Sequence, residues 1–299
     1  MGDSSENRYL HRIFGSPKIW NKDIVMKKLL LLFVVVFLFV SFTQRQLTWV
    51  AIGDSITYLN DHQNETGNRI SKGYMTGVTE KLPHIHFINQ GHNGWTSGGI
   101  AEQVEKLGLT KADVYSIFLG TNDWWQGKPL GVFADYQNNT GNGTVYGSFR
   151  IIINKLRDLN PSGKIVLITP MQRTDFVYIN DQKNNAYGCY KEVKGQTLKQ
   201  FADAIDSIAR SDGFEVVDLY RKEGMNINQL VKFKRLKDPK TGGYKNYRYP
   251  DYIEVPFDPA KDEYPYPVEA IDVTYDGLHP SDKGYKIISD MLVKIMKKY

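Results

Sequence analysis

Two distant stretches of this 299-residue chain carry side chains that could act as a nucleophile and its base. Ser55 ends a Gly-Asp-Ser tripeptide directly after the apolar run 48–52, and Asp276 and His279 stand three residues apart before the last predicted helix. A serine hydroxyl becomes nucleophilic when an imidazole takes its proton and a carboxylate orients that imidazole. A serine after a strand is also an ordinary turn or helix-capping residue, so the hypothesis depends on the two stretches meeting in the fold.

The elements around these residues predict where they lie. The β-branched, near-continuous apolar run before Ser55 is typical of a parallel strand that is buried on both faces. The next two predicted strands, 84–89 and 112–119, also run into polar turns that contain glycine, at 89–94 and 120–123. Because the carboxyl ends of parallel strands gather at one edge of a sheet, Ser55 and both turns are expected to line one crevice.

Helices and strands alternate along the rest of the chain. Further strands are predicted at 164–169 and 214–219, and helical spacing of apolar residues predicts helices at about 68–82, 100–107, 145–156 and 198–209 and from 281 onward. This alternation indicates an α/β fold with a mostly parallel, five-stranded sheet. An aromatic-rich insertion at about 221–270 interrupts the pattern, and its rings are expected mainly to pack the segment down, with one or two at the cleft.

Four sequence blocks resemble those of the SGNH, or GDSL-type, esterase family. They are Gly53-Asp54-Ser55, Gly91 after Asn89, Gly120-Thr121-Asn122-Asp123 and Asp276-x-x-His279, in the family's order and approximate spacing. The resemblance covers residues 47–299. It implies a flavodoxin-like three-layer α/β/α sandwich that hydrolyses carboxylic esters through an acyl-enzyme. The Gly-x-Ser-x-Gly elbow of α/β-hydrolases is absent, which argues against that other fold.

The resemblance also implies a role for each matching residue. Ser55 would be the nucleophile, His279 the base that then protonates the leaving alcohol, and Asp276 the group that orients His279. The backbone N–H groups of Ser55 and Gly91 and the side-chain amide of Asn122 would bind the oxyanion. This chemistry needs no cofactor.

The other polar residues near the site carry no predicted chemistry. Asp54 and Asp123 are expected to brace the turns in which they lie. His84 and His86 share one face of the second predicted strand, but two histidines without a nearby third ligand are more often packing or surface residues. No metal site is therefore predicted.

Three tryptophans stand beside the turns that hold Gly91 and Asn122. Trp95, Trp124 and Trp125 are candidate substrate-binding residues that could narrow an acyl pocket or stack on a sugar ring, and they could equally belong to the core or rim. Secreted sequences of this family with an aromatic insertion resemble carbohydrate esterases. The expected substrate is therefore a small acyl ester or an acylated polysaccharide, and the expected reaction is deacetylation of a carbohydrate.

Two alternatives remain open because fold and triad do not define the pocket. One is a lipase, lysophospholipase or thioesterase that acts on longer acyl chains. The other is a non-catalytic, carbohydrate-binding relative, although the intact blocks speak against it.

The first 46 residues differ in character from the rest. Two lysines precede an apolar run from Leu29 to Val40, a pattern typical of a secretory signal peptide, here at about 26–46, and short for a membrane span of about 20 residues. The hydrolase domain at 47–299 is therefore expected to be secreted or periplasmic, with an uncleaved membrane anchor as the alternative.

That domain holds 31 Lys or Arg against 30 Asp or Glu, which gives no electrostatic argument for a nucleic-acid partner. Beyond the leader, no stable membrane partner is expected.

Overall fold

The computed structural model describes residues 22–24, 26–28, 30 and 45–299. The chain divides into two units, Met1–Arg45 and Gln46–Tyr299. In the first unit, residues 22–24, 26–28 and 30 are helical. Most of the predicted leader, including residues 31–44, lies outside the described residues, so the signal peptide stays a prediction. Among the residues that are described, no helix is both long and apolar enough to cross a bilayer.

The strands of the second unit form one central sheet and two small hairpins. They are β1 (Leu47–Gly53), β2 (Ile85–Gly91), β3 (Val114–Phe118), β4 (Lys164–Ile168), β5 (Phe176–Tyr178), β6 (Asp181–Ala186), β7 (Glu215–Val217), β8 (Lys234–Lys237) and β9 (Tyr244–Tyr247). The central sheet has five strands in the order β2-β1-β3-β4-β7, and every neighbouring pair is parallel. The predicted α/β fold is confirmed, and its sheet is parallel throughout.

The order of strands reverses at β1. β2 lies on one side of β1, and β3, β4 and β7 lie on the other. Gly53 at the end of β1 pairs with Gly91 of β2 and with Phe118 of β3, so three strand ends are level. In a flavodoxin-like sheet the ligand crevice lies beyond the carboxyl ends of the strands at this reversal. Ser55 follows β1 by two residues and therefore lies at that point.

Helices cover both faces of the sheet. They are α1 (Ser55–Tyr58), α2 (Tyr74–Thr79), α3 (Ser97–Gln103), α4 (Thr121–Trp125), α5 (Phe133–Gln137), α6 (Val145–Leu159), α7 (Leu198–Asp212) and α8 (Asp282–Met296). Trp49 and Ala51 of β1 pack with α2 and α8, whereas Val50 and Ile52 pack with α3, α6 and α7. Alternate residues of β1 thus enter two separate cores, which explains why its sequence is apolar without interruption.

Side-chain caps decide where the long helices begin. Thr144 accepts a hydrogen bond from Gly147 N before α6, and Thr197 accepts one from Gln200 N before α7. Ser281 caps α8 in the same way, two residues after the predicted catalytic histidine. Since these caps are local, the sequence predicted the starts of these helices well.

The segment between β1 and β2 differs from its prediction. Residues 56–67, for which no helix was predicted, form the rest of α1 and two 3₁₀ turns, Leu59–Asp61 and Gln63–Thr66. The predicted helix at 68–82 is confined to α2. Asn60 Oδ1 accepts hydrogen bonds from Met75 N at 2.9 Å and Thr76 N at 3.1 Å, so a residue from the preceding turn caps α2. Sequence periodicity carries no information about a cap supplied from 15 residues away.

The aromatic insertion at 221–270 contains the β8–β9 hairpin and packs beside the start of β5. Tyr266 OH donates a hydrogen bond to Asp175 O, and Tyr252 OH is hydrogen-bonded to Thr174 Oγ1. Both tyrosines are fully buried. The insertion therefore supports the segment that leads into β5, in agreement with the expected packing role of these rings. None of the described rings of the insertion lines the cavity that contains Ser55, so the expectation of one or two rings at the cleft was wrong.

Candidate active site

Asp276, His279 and Ser55 form a continuous chain of hydrogen bonds. His279 Nδ1 lies 2.7 Å from Asp276 Oδ2, and His279 Nε2 lies 2.8 Å from Ser55 Oγ. Asp276 is fully buried and His279 is nearly so. This order of nucleophile, base and orienting carboxylate allows an imidazole to remove a hydroxyl proton. The three residues expected to act together are thus brought together by the fold.

The turn that carries Asp276 and His279 is fixed by the same carboxylate. Asp276 Oδ1 accepts hydrogen bonds from Leu278 N at 3.0 Å and from His279 N at 2.7 Å. Gly277 has a φ of +92°, and a Cβ at this position would lie 2.0 Å from Asp175 O. Glycine is therefore the residue that lets Asp276 and His279 approach each other in this turn.

Two aromatic rings hold the imidazole of His279. Tyr275 stacks on it with centroids 5.9 Å apart and an interplanar angle of 20°. Phe176 from β5 meets it edge-on at 5.4 Å and 80°. Rings in such offset and edge contacts attract one another beyond simple area burial. The contacts favour the orientation in which Nε2 faces Ser55.

Ser55 is the first residue of α1, and Asp54 caps that helix. Asp54 Oδ1 accepts a hydrogen bond from Ile56 N at 3.0 Å, which fixes the sharp change from strand to helix. Tyr285 OH of α8 donates to Ile56 O at 2.9 Å, so the helix that follows His279 is tied to the helix that begins at Ser55. Burial raises the pKa of Asp54 to about 6. Asp54 thus shapes the turn, in agreement with the prediction.

A cavity of about 420 Å³ opens beside the triad. Its lining residues define what we call the catalytic cavity: Ser55, Leu59, Glu65, Asn93, Gly94, Asn122, Trp125, Gln126, Arg173, Phe176, Tyr178, Asn184, Ala186, Tyr275, Leu278 and His279. Polar and apolar groups both contribute to this wall. One side comes from the turns after β1, β2 and β3, and the other comes from the β5–β6 hairpin and the turn of Asp276.

Asn122 lies at the start of α4 and lines the catalytic cavity. Its Nδ2 donates to Trp95 O at 3.1 Å and lies 3.5 Å from Asp54 Oδ2, so the amide is held between two turns. Buried Asp123 accepts hydrogen bonds from Ser97 N at 3.0 Å and Ser97 Oγ at 2.6 Å. Asp123 therefore joins the end of β3 to α3, and burial raises its pKa.

The structure corrects the prediction for Gly91. Its N–H donates to Asn89 Oδ1 at 2.9 Å, and Gly91 is not one of the residues that line the catalytic cavity. A Cβ on Gly91 would lie 2.1 Å from Tyr58 N. This glycine is required because α1 passes close to the end of β2.

Gly94, three residues later in the same turn, lines the catalytic cavity. It has a left-handed backbone with φ of +73°, and Gln126 Nε2 holds its carbonyl at 2.9 Å. Within the described residues its N–H has no hydrogen-bond acceptor. The Asn93-Gly94 dipeptide is a turn signal that could have directed attention to this position.

The three candidate tryptophans have three different environments. Trp124 is fully buried and donates from Nε1 to Gln196 O at 3.0 Å, so it belongs to the core. Trp95 stacks on His92 at 4.5 Å and does not line the catalytic cavity. Trp125 lines it. Of the tryptophans predicted to bind substrate, the structure leaves only Trp125 in place for that role.

Arg173 and the β5–β6 hairpin also line the catalytic cavity, and neither was predicted. The hairpin strand Asp181–Ala186 is almost entirely polar, so it carries no alternating apolar pattern. Arg173 follows β4 in a stretch with no motif. The Asn180-Asp181 pair, where the turn after β5 meets the start of β6, is a local signal that predicts a turn without indicating a strand on each side.

His84 and His86 have different surroundings, since the first is buried and the second is exposed. In the described part of the chain, no group of three or more His, Cys, Asp or Glu side chains could hold a metal ion.

The family model of GDSL-like lipases and acylhydrolases matches residues 51–287, a range that includes Ser55, Asp276 and His279. The chain belongs to this family. As a GDSL-type hydrolase it is an enzyme that acts on carboxylic esters. No match was found among curated proteins.

Solved structures agree with membership of the GDSL family. A protein from Chitinophaga pinensis, described as a possible lipase, is 62% identical with a TM-score of 0.84, and the match covers 85% of this chain and 98% of that one. A protein from Lactobacillus plantarum is 18% identical with a TM-score of 0.58, over 86% of this chain and 99% of that one. The second likeness is one of fold alone.

Proposed function

We propose that this GDSL-type hydrolase uses Ser55 as its nucleophile and removes a small acyl group, acetyl in the simplest case, from a carbohydrate. The hydrogen-bonded chain Asp276–His279–Ser55 is the observation that carries the proposal. Each neighbouring pair in that chain lies within 2.8 Å.

The reaction has two halves. Ser55 Oγ attacks the ester carbonyl carbon while its proton passes to His279 Nε2, and Asp276 stabilises the imidazolium. The tetrahedral intermediate collapses, and the sugar hydroxyl leaves with the proton from His279. Water then attacks the acyl-enzyme with His279 as base, releasing the carboxylic acid and restoring Ser55 Oγ–H.

Three donors are proposed to bind the oxyanion: Ser55 N–H, Gly94 N–H and Asn122 Nδ2. Gly94 replaces Gly91 in this role because the N–H of Gly91 is already hydrogen-bonded to Asn89. Ser55 N–H at the start of α1 and Gly94 N–H have no acceptor among the described residues. The carbonyl of Gly94 is held by Gln126, and Trp95 O holds one N–H of the Asn122 amide. The other N–H of that amide has only a long contact of 3.5 Å with Asp54 Oδ2, so it can turn to the oxyanion. Donors fixed before the reaction stabilise the oxyanion without reorganisation.

The wall of the catalytic cavity supports a carbohydrate over a long acyl chain. Glu65, Asn93, Gln126 and Asn184 line it, and their polar groups can hydrogen-bond sugar hydroxyls. Trp125 offers a ring of the kind that stacks on a sugar face. A site for a long acyl chain is expected to have a predominantly apolar wall.

A second cavity, of about 380 Å³, supports an extended substrate. It lies against the other side of the β5–β6 hairpin, and Phe176 and Ala186 line both cavities. Tyr187, which is 56% exposed, and Tyr190 line the second cavity. A polymeric carbohydrate has sugar units on either side of the acylated unit. The rings of Tyr187 and Tyr190 can stack on such a neighbouring sugar unit.

Hydrolysis of p-nitrophenyl acetate, butyrate and octanoate tests the proposal. We expect the highest kcat/KM on acetate, and loss of turnover in Ser55→Ala. Ser162→Ala, which removes an exposed hydroxyl in a turn, is the matched control and should retain full activity. Turnover that rises with acyl length would favour the lipase or thioesterase alternative. Equal rates in the unmodified protein and Ser55→Ala would overturn the assignment of the nucleophile.

The non-catalytic, carbohydrate-binding alternative predicts a different experimental result. A protein that only binds carbohydrate would bind acetylated glycans with and without Ser55→Ala and would release no acetate from them. Measuring acetate release from acetylated xylan beside glycan binding separates these two outcomes.

A further inference from the structure

Arg173 is a buried cation in the wall of the catalytic cavity. Its side chain lines the cavity, yet only 1% of the residue's surface is exposed. Nε and Nη2 are enclosed and have no hydrogen-bond partner. The third nitrogen, Nη1, is not enclosed, and it too donates to no described residue. A guanidinium with five N–H donors is thus held at the active site with no protein acceptor.

Aromatic rings surround this guanidinium. The Arg173 Cζ lies 5.7 Å from the ring centroid of Trp124, 5.3 Å from that of Trp125 and 6.0 Å from that of Phe176. Ring faces attract a cation, so these contacts explain how the charge is tolerated there. They do not accept N–H hydrogen bonds as a carboxylate does, so Nη1, the nitrogen that is not enclosed, stays available to a ligand.

The nearest acidic groups are occupied by other partners. Asp175 accepts hydrogen bonds from Lys234 Nζ at 2.8 Å and Tyr190 OH at 2.6 Å. Asp276 is bonded to His279. No ion pair joins Arg173 to any residue that the structure describes.

The charge on Arg173 is nevertheless present at neutral pH. Burial lowers the pKa of its guanidinium only to about 10. The Cys189 thiol beside it provides no counter-ion, because burial raises the pKa of that thiol above its ordinary value. Placing an unpaired charge in a protein interior is costly, so a guanidinium held there without an acceptor is expected to bind an anionic group of a ligand.

We propose that Arg173 binds a carboxylate of the substrate, so that the acylated carbohydrate is an acidic one such as a uronic acid unit. This inference rests on the proposed esterase function and specifies its substrate class. A sugar hydroxyl would accept one hydrogen bond from Arg173 and leave its buried positive charge uncompensated. A carboxylate accepts the hydrogen bond and also neutralises the charge.

The position of Phe176 indicates which part of the substrate carries the carboxylate. Phe176 contacts both the imidazole of His279 and the guanidinium of Arg173, so the two groups lie close to each other in the cavity wall. In the proposed reaction His279 gives its proton to the leaving sugar oxygen. The carboxylate is therefore placed on the sugar rather than on the acyl group.

Calorimetric titration with methyl glucuronoside and methyl glucoside tests the proposal without requiring turnover. Hydrogen bonds to charged groups correspond to roughly 10-fold to 100-fold in affinity, so the unmodified chain should bind the glucuronoside tighter by about that factor. Arg173→Gln should reduce the preference to about one. Because the preference is a ratio measured within one protein, a general loss of binding capacity in a variant cancels.

Arg150→Gln is the matched control. Arg150 Cζ lies 5.1 Å from the ring centroid of Tyr136, its Nε is also enclosed without a partner, and Arg150 is on α6 away from the lining of the catalytic cavity. This variant should keep the preference of the unmodified chain. Acetylated derivatives of the two glycosides, compared by kcat/KM, should show the same pattern.

Failure of the two proposals can be told apart. Equal or undetectable binding of both glycosides, or a preference that survives Arg173→Gln, overturns the role of Arg173 even if p-nitrophenyl acetate is hydrolysed. Loss of the preference in Arg173→Gln, but not in Arg150→Gln, supports the role of Arg173. Absence of ester turnover in the unmodified protein refutes the esterase function, whatever the binding experiment shows.

Discussion

His279 Nε2 lies 2.8 Å from Ser55 Oγ, although 224 residues separate the two in the chain. The contact is secured on both sides. Asp54 caps the helix that begins at Ser55, and the hydrogen bond from Tyr285 OH to Ile56 O ties that helix to α8. The predicted chemistry therefore depends on the packing of α8 against the layer that contains α1 and α2.

Replacing Asp276 by Asn should abolish most activity while preserving the turn. An Asn oxygen can still accept from Leu278 N and His279 N, but its amide group cannot accept the proton of His279 Nδ1. We expect kcat to fall by roughly 10³-fold to 10⁴-fold. Asp158→Asn, at an exposed position of α6, is the matched control. A loss of less than tenfold in p-nitrophenyl acetate turnover would contradict the role of Asp276.

Replacing Asn122 by Ala should remove one oxyanion donor. The expected result is a fall in kcat of roughly 10²-fold to 10³-fold with little change in KM, since the donor acts on charge that develops in the transition state. Asn138→Ala, which changes an exposed asparagine outside the catalytic cavity, should leave both constants unchanged. A change confined to KM would assign Asn122 to ground-state binding.

Alanine at Gly91 and alanine at Gly94 should have different effects. A Cβ at Gly91 would lie 2.1 Å from Tyr58 N, and we expect a loss of about 1–3 kcal/mol in the free energy of unfolding. A Cβ at Gly94 meets nothing within 4 Å, but the positive φ strains the proposed oxyanion donor, and kcat/KM should fall by about 10-fold to 100-fold.

Urea unfolding and acetate-ester kinetics on both glycine variants check this contrast. If Gly91→Ala kept its stability and lost activity, while Gly94→Ala remained fully active, the oxyanion role would return to Gly91.

The stability of the protein should depend on pH through Asp54. Burial raises the pKa of Asp54 from 3.8 to about 6, so the folded state favours the protonated carboxyl. The stability associated with this group is fully present below pH 3.8 and is lost as pH rises through about 6. The total change is on the order of 3 kcal/mol.

Asp54→Asn provides the comparison, because Asn can also cap Ile56 N and does not titrate. Denaturant unfolding of both proteins from pH 4 to pH 7 should show the unmodified chain losing stability relative to the variant as the pH rises. A difference that is constant over this range would mean that Asp54 is not desolvated.

The strand ends and the triad were predictable from the sequence because their signals are local. The unbroken apolar run of β1, the glycine-bearing turns after β1, β2 and β3, and the Ser281 cap before α8 each depend on a few adjacent residues. Parallel strands bring their carboxyl ends to one edge, which predicted that Ser55 and the turn of Asn122 would line one crevice. That His279 would join them was implied by the resemblance of the four blocks to the GDSL-type family, because His279 follows no strand of the sheet.

Which backbone N–H and which tryptophan ring face the catalytic cavity was not predictable from local sequence signals. Gly91 and Gly94 lie in one turn. Asn89 Oδ1 accepts the hydrogen bond of the Gly91 N–H, so only the N–H of Gly94 stays available at the cavity. Trp124 and Trp125 are adjacent, and rotation of about 100° per residue along α4 puts one ring in the core and the other at the cavity.

By itself, the sequence determined the α/β fold and the place of the nucleophile beyond β1, since periodicity and turn chemistry act over short distances. Its four family-like blocks indicated the triad. Only the tertiary structure decided which glycine and which tryptophan line the cavity, and that Arg173 is buried there without an acceptor. The surroundings of Arg173 arise where the rings of α4 and the start of β5 pack around it. Contacts between segments so far apart in the chain leave no pattern in any one of them.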